Sequence, residues 1–108
     1  MAETFKHKQA ELSTTNTAIY TCPSSTTAIV FMSQVANKSS SDSYYATLSA
    51  SDSSATTVRF LAKDIQIPSL AAANLIGGKL VLEAGDSLNA YAQANGFIDI
   101  VLSVLEIT

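Results

Sequence analysis

The chain has 108 residues, 6 Lys+Arg against 9 Asp+Glu, a net charge of −3, 47% hydrophobic and 14% charged residues, which fits one domain with a real core and leaves no room for a second. The sparse charge and a mean hydropathy of +0.24 exclude the composition of a disordered chain, and a pI near 4.8 removes the general attraction to phosphate and anionic lipid, so neither nucleic acid nor membrane is an expected partner. A lone cysteine, Cys22, excludes an intramolecular disulfide, and the longest wholly apolar run, Ala28 to Met32, falls far short of the ~18 residues a membrane helix needs.

Residues 1–12 read as an N-terminal arm ahead of a domain at 13–108. The arm carries Lys6, His7 and Lys8, with Phe5 and Leu12 its only large apolar residues besides Met1. It has no apolar h-region, so no secretory signal peptide is expected. Terminal segments of this kind fray unless tied down, and the functional expectation is that Phe5 or Leu12 anchors the arm on a neighbouring subunit.

The rest leans toward β structure. Ser and Thr make up 26 of 108 residues and Ala 16, and the apolar runs are short and bounded by turn residues rather than spaced at 3.6. Eight strands are expected. Thr17 to Thr21 ends at Cys22-Pro23, with Cys22 a small buried residue at the strand end. Thr27 to Val35 is nearly continuously apolar and so buried on both faces or central in a sheet. Tyr44 to Ser49, with one tyrosine inward and one outward, and Thr57 to Ala62 flank a Ser-rich link expected as a surface loop. Ile65 and Ile67 alternate before Pro68, which places that strand at an edge.

Ser69 to Ile76 reads as a short helix or irregular crossover stopped by Gly77-Gly78. Leu80 and Leu82, then Leu88, Ala90 and Ala92, read as a hairpin. Phe97 to Ile107 is the strongest strand, with Ile98, Ile100, Leu102 and Val104 on one face and Val101, Leu105 and Ile107 on the other. Together these give an all-β fold, a single antiparallel β-sandwich that is jelly-roll-like.

Chemistry is hard to place on this pattern. The only histidine, His7, lies in the arm, no Gly-x-Ser-x-Gly elbow is present, and the aspartates fall mainly in turns, with Asp99 alone interrupting an apolar strand. No catalytic residue, cofactor site or metal site is expected, and Gly77-Gly78-Lys79 lacks the further glycines of a phosphate loop. Asn37-Lys38-Ser39 matches a glycosylation sequon. The candidate contact residues are aromatic: Tyr44, Tyr45, Tyr91 and Phe97, beside Phe5 and Leu12 of the arm.

The runs Leu12 to Pro23, Ile65 to Pro68, Gly78 to Leu88 and Ile98 to Ile107 resemble small β-sandwich virion proteins of tailed bacteriophages, the likeness covering Leu12 to Ile107. The resemblance implies a non-enzymatic structural role in the virion, as capsid decoration (cement) protein or as a neck, tail or fibre component. It also implies synthesis in the host bacterial cytoplasm, and as partners copies of itself, for instance a homotrimer, and the major capsid protein or other virion proteins. A carbohydrate-binding or adhesin module is the alternative of another class, with Tyr44, Tyr45 and Tyr91 as a sugar platform.

Overall fold

In the computed structural model, which describes residues 2–108, the short apolar runs form nine strands and, among the described residues, no helix. They are β1 (Glu3–Glu11), β2 (Thr17–Thr21), β3 (Thr27–Asn37), β4 (Tyr44–Asp52), β5 (Thr57–Ile67), β6 (Ala72–Asn74), β7 (Leu80–Leu82), β8 (Ser87–Ala92) and β9 (Ile98–Ile107). Sheet A runs β1-β9-β3-β6, with β7 also on β3, and sheet B runs β2-β8-β4-β5. Every pairing is antiparallel. With β6 and β7 counted as one interrupted strand, the all-β sandwich is jelly-roll-like in its strand order.

The core lies between the sheets. β9 alternates as expected, with Ile98, Ile100, Leu102 and Val104 buried on its inner face, where they meet Leu48 of β4 and Leu88 and Ala90 of β8 in one cluster. β3 lies between β9 and the short strands, as its apolar run suggests. The run looks unbroken because a bulge between Val30 and Met32 changes its phase. Ala28 and Val30 point inward before the bulge, Ser33, Val35 and Asn37 after it, so one extra residue shifts the alternation by one.

Ser33 is fully buried in that inner row, and its hydroxyl has no partner among the described residues. An unpaired buried hydroxyl costs about 1–3 kcal/mol. Ser33→Ala is therefore expected to raise the urea midpoint at unchanged slope; a lowered midpoint would mean that the hydroxyl is satisfied.

Asn37 is also buried but fully bonded: its amide nitrogen donates to the carbonyls of Asp42 and Ile67 (both 2.9 Å), and its oxygen accepts from the Ser39 amide (2.9 Å). The nitrogen that the sequon would offer to a glycan is thus held inside the fold.

Four local expectations are corrected. Ser69 to Ile76 contains no helix: Leu70 turns at φ +58, β6 follows, and the Asn74 side chain accepts from the amides of Ser33 (3.1 Å) and Ile76 (3.2 Å). Leu80–Leu82 and Ser87–Ala92 do not form a hairpin but lie in different sheets. The chain crosses between them through a turn in which the Asp86 carboxylate accepts from the Glu83 amide (3.0 Å) and Gly85 takes φ +89, where a Cβ would come within 2.7 Å of Ser53 Oγ. Thr57 to Ala62 and Ile65 to Ile67 are one strand, β5, bulged near Asp64 (φ 51), whose amide donates to Thr47 Oγ1 (2.9 Å) and whose carboxylate accepts from it (3.0 Å). The first half of the Ser-rich link, Ala50 to Asp52, is strand, because β4 continues to Asp52, and residues 53–56 make the turn.

The two outermost full-length strands are β1 and β5. β5 ends at Ile67, before Pro68, at the edge of sheet B. Residues 3–11 of the expected arm form β1, paired with β9 along their whole length, and Ala2 and Thr108 exchange backbone bonds beyond it (3.1 and 2.9 Å). Every β1 residue except Ala10 is exposed, so backbone bonds rather than burial hold the strand in place.

Candidate interaction surface

Each strand of a two-layer sandwich has one inward face, so a strand that is apolar on both faces must present the second outside. β9 is such a strand, and register extends its outer face across sheet A. Leu105 is opposite Phe5 on one side and Ile29 on the other, and Ile29 is opposite Val81. This row crosses four strands. Phe5 is 75% and Val81 59% exposed. The Phe5 and Phe31 rings approach to 5.9 Å between centroids, from β1 and β3, on either side of β9.

The rows beside it, His7–Ser103–Met32 and Gln9–Val101–Gln34–Asn74, contain no Asp, Glu, Lys or Arg. Charge returns at the two ends of these rows, and at the exposed Lys79 and Glu83 that flank Val81. Glu3 is opposite Ile107 at one, and Glu11 and Asp99 at the other both bind Lys38, at 2.7 and 3.1 Å. Hydrogen bonds that it donates to Glu11 and then to Asp99 hold the Lys38 ammonium above the usual lysine range. Asp99, the aspartate in the strongest strand, thus points outward to a partner in its own chain.

Sheet B differs. On its outer side Thr47, Ser49 and Ser51 of β4 are in register with Tyr91, Asn89 and Ser87 of β8, Thr47 and Ser49 being buried there and the other four half-buried. The exposed apolar residues of β5, namely Val58, Phe60, Leu61 and Ile65, are interleaved with Arg59, Lys63 and Asp64, and the Lys63 ammonium sits 4.7 Å above the Phe60 ring.

The residues singled out in the sequence do not form one site. Phe5 lies on the apolar face. Leu12 is 2% exposed and belongs to the chain's own core, where its amide donates to the Ile98 carbonyl (2.7 Å), so it is not on the surface as an anchor would be. Tyr44 packs on the core and stacks on the half-exposed Phe97 at 4.9 Å between centroids, while Tyr45 and Tyr91 belong to the outer side of sheet B. The three tyrosines therefore do not make one platform for a sugar ring. Cys22 is buried as expected, and burial pushes its thiol above the usual range. Among the described residues no group of three or more His, Cys, Asp or Glu is placed to hold a metal ion.

Ile29, Phe31 and Val81 were not singled out by sequence reasoning. The available signal was the second apolar face of β9, Val101, Leu105 and Ile107, which has no layer of its own to cover it.

No protein-family model and no curated protein matches the chain. Among solved structures it is similar to a chain described as belonging to Bacillus endospore appendages that form disulfide-linked pili, with a TM-score of 0.58 at 12% identity over 99% of this chain and 87% of that one. It is also similar to a chain of the acid-stable capsid of Helicobacter pylori bacteriophage KHP30, with a TM-score of 0.56 at 11% identity over 100% and 89%. A pentameric capsid protein from metagenomic phage sequences aligns at a TM-score of 0.47 and 18% identity, over 92% of this chain and 60% of that one. At these identities the likeness is one of fold.

Proposed function

We propose that the chain is a non-enzymatic structural protein of bacteriophage virions, of the capsid-decoration (cement) kind, acting through protein–protein contacts. The observation that carries this reading is the outer face of sheet A: one apolar row across four strands, Phe5–Leu105–Ile29–Val81, beside two mixed rows that carry no Lys, Arg, Asp or Glu. Depletion of charge with aromatic and Met enrichment is the composition of an interface centre, not of a nucleic-acid or lipid surface. The end-to-end fold likeness to a chain of a phage capsid supports the setting, as an analogy of fold. The sequence resemblance to phage virion proteins agrees with it.

The mechanism is linkage. A protein that binds an assembled shell more tightly than its free subunits stabilises the shell by that difference in affinity. The arm at residues 1–12 contributes through Phe5, held on β1 at the border of the face.

The test is co-sedimentation of the purified chain with decoration-free shells of the phage that encodes it. Saturable binding and shells that resist higher temperature are the expected result. Absence of binding at tens of micromolar would overturn the reading, and unchanged binding after deletion of residues 2–11 would overturn the part assigned to the arm.

A further inference from the structure

We infer that the outer face of sheet A is a self-association surface, on which a second copy of this chain seats the same face in a twofold pair. The inference rests on the reading of that face as a docking surface, and names its occupant.

Three observations select a second copy. The first is the match of surfaces. The apolar row across sheet A gains most against another such row, and the outer side of sheet B, where the exposed apolar residues of β5 are interleaved with Arg59, Lys63 and Asp64, offers none free of charge. Within this chain, the large surface that matches sheet A is sheet A itself, which is the condition for an isologous contact.

The second is area. Four strands at about 4.8 Å spacing and ten residues at about 3.3 Å rise make a face on the order of 600 Å² before side-chain relief is added. A standard interface takes about 800 Å² from each partner. Packed sheets in general lie face to face about 10 Å apart and crossed at roughly 30°, and such packing would cover nearly the whole face at the low end of a stable dimer.

The third is that the competing route, strand addition, is guarded at the two long edges, while the other edges, β2 and β6 with β7, are short. β1 directs Lys6 and Lys8 to the inner side of sheet A, opposite Val104 and Leu102, and β5 is bulged and carries Arg59 and Lys63. Inward-pointing lysines and bulges both oppose pairing with another strand. The charged ends of the face, Glu3 at one and the Glu11–Asp99–Lys38 cluster at the other, then lie at the wet rim of the pair.

The test is sedimentation equilibrium of the full chain from one to several hundred micromolar. A reversible monomer–dimer equilibrium is expected, weakened at least tenfold by Val81→Arg and by Phe5→Asp, and unchanged by Phe60→Lys on sheet B. Circular dichroism and the melting temperature report whether each variant is folded, and Val81→Arg serves if Phe5→Asp releases β1. A chain that stays monomeric throughout overturns the inference, as does a trimer, or a dimer that survives both sheet A substitutions in folded protein. Shell binding is read separately: a chain that decorates shells but never pairs in solution overturns this inference alone.

Discussion

Replacing Asn37 by alanine is expected to lower the unfolding free energy by about 3 kcal/mol, because it leaves the Ile67 and Asp42 carbonyls and the Ser39 amide without their partner at a cost of about 1–3 kcal/mol for each group that stays buried. The side chain is 2% exposed, so water does not replace it without a local opening. Asn37 joins three parts of the fold: the end of β3 in sheet A, the loop before β4, and the end of β5 in sheet B. For a domain of this size such a loss lowers the melting temperature by on the order of 15 °C. Asn37→Asp is expected to be at least as damaging, since it keeps the acceptor but sets a carboxylate against two carbonyls. Urea unfolding measures both variants, and a cost below about 1 kcal/mol for either would mean that the three bonds do not carry the junction.

The second large effect is expected at Glu106, whose carboxylate lies on the inner face of β9. Tyr20 of β2 donates its hydroxyl to one oxygen (2.6 Å) and Lys6 of β1 pairs with the other (2.9 Å), so a single side chain ties sheet A to sheet B and fastens β1. Tyr20 and Glu106 are both buried, whereas the Lys6 side chain is about half exposed. Glu106→Ala leaves the Tyr20 hydroxyl unpaired in the core and is expected to cost about 2–3 kcal/mol; Lys6 returns to water at little cost.

The same contacts set a pH dependence. The Tyr20 hydroxyl, then Lys6, hold the Glu106 carboxyl below its ordinary value of 4.5. A depressed carboxyl contributes stability that is present above 4.5 and is lost as pH falls through the folded-state value. At the other limb, burial first and the Glu106 carboxylate second push the Tyr20 hydroxyl well above 10.0. That contribution is complete below pH 10 and declines as pH rises past it. Wild-type unfolding free energy should therefore fall on both sides. Glu106→Gln should flatten the acid limb, leaving the part due to Asp52, whose carboxyl is lowered by the Ser54 hydroxyl and the Ala55 amide. Tyr20→Phe should flatten the alkaline one. An acid limb identical in wild type and Glu106→Gln would remove the carboxylate from this role.

Most strands were legible because a period of two survives wherever one face is buried: β2, β8 and β9 follow directly from Ala18 to Tyr20, Leu88 to Ala92 and Ile98 to Val104. What was lost has a local cause. The bulge at Phe31 changes the phase of β3 and makes a half-buried strand look apolar all round. The bulges near Asp64 split β5 into two apparent strands, since nothing in Lys63-Asp64 marks a position that Thr47 will hold from the next strand.

Sheet membership is a longer-range property. Alternation in Leu80–Leu82 and Leu88–Ala92 gives the inward face of each but not the layer in which each lies, and the crossing depends on Asp86 reaching Glu83 and Ser53. The candidate surface was half legible. β9 declared an apolar second face, but its neighbours Phe5, Ile29 and Val81 come from three distant segments that only register brings together.

That register also sets the order in which the fold can assemble. Apart from β4 with β5, no strand pairs with its neighbour in sequence, and β1 pairs with β9 alone. The β4–β5 hairpin is therefore the one ladder that closes locally, while Glu3–Glu11 has no template until Ile98–Ile107 has joined β3. Pairings this distant in sequence place the chain among slow folders, in the millisecond-to-second range. During synthesis β1 therefore waits for β9, the last of these nine strands to be made.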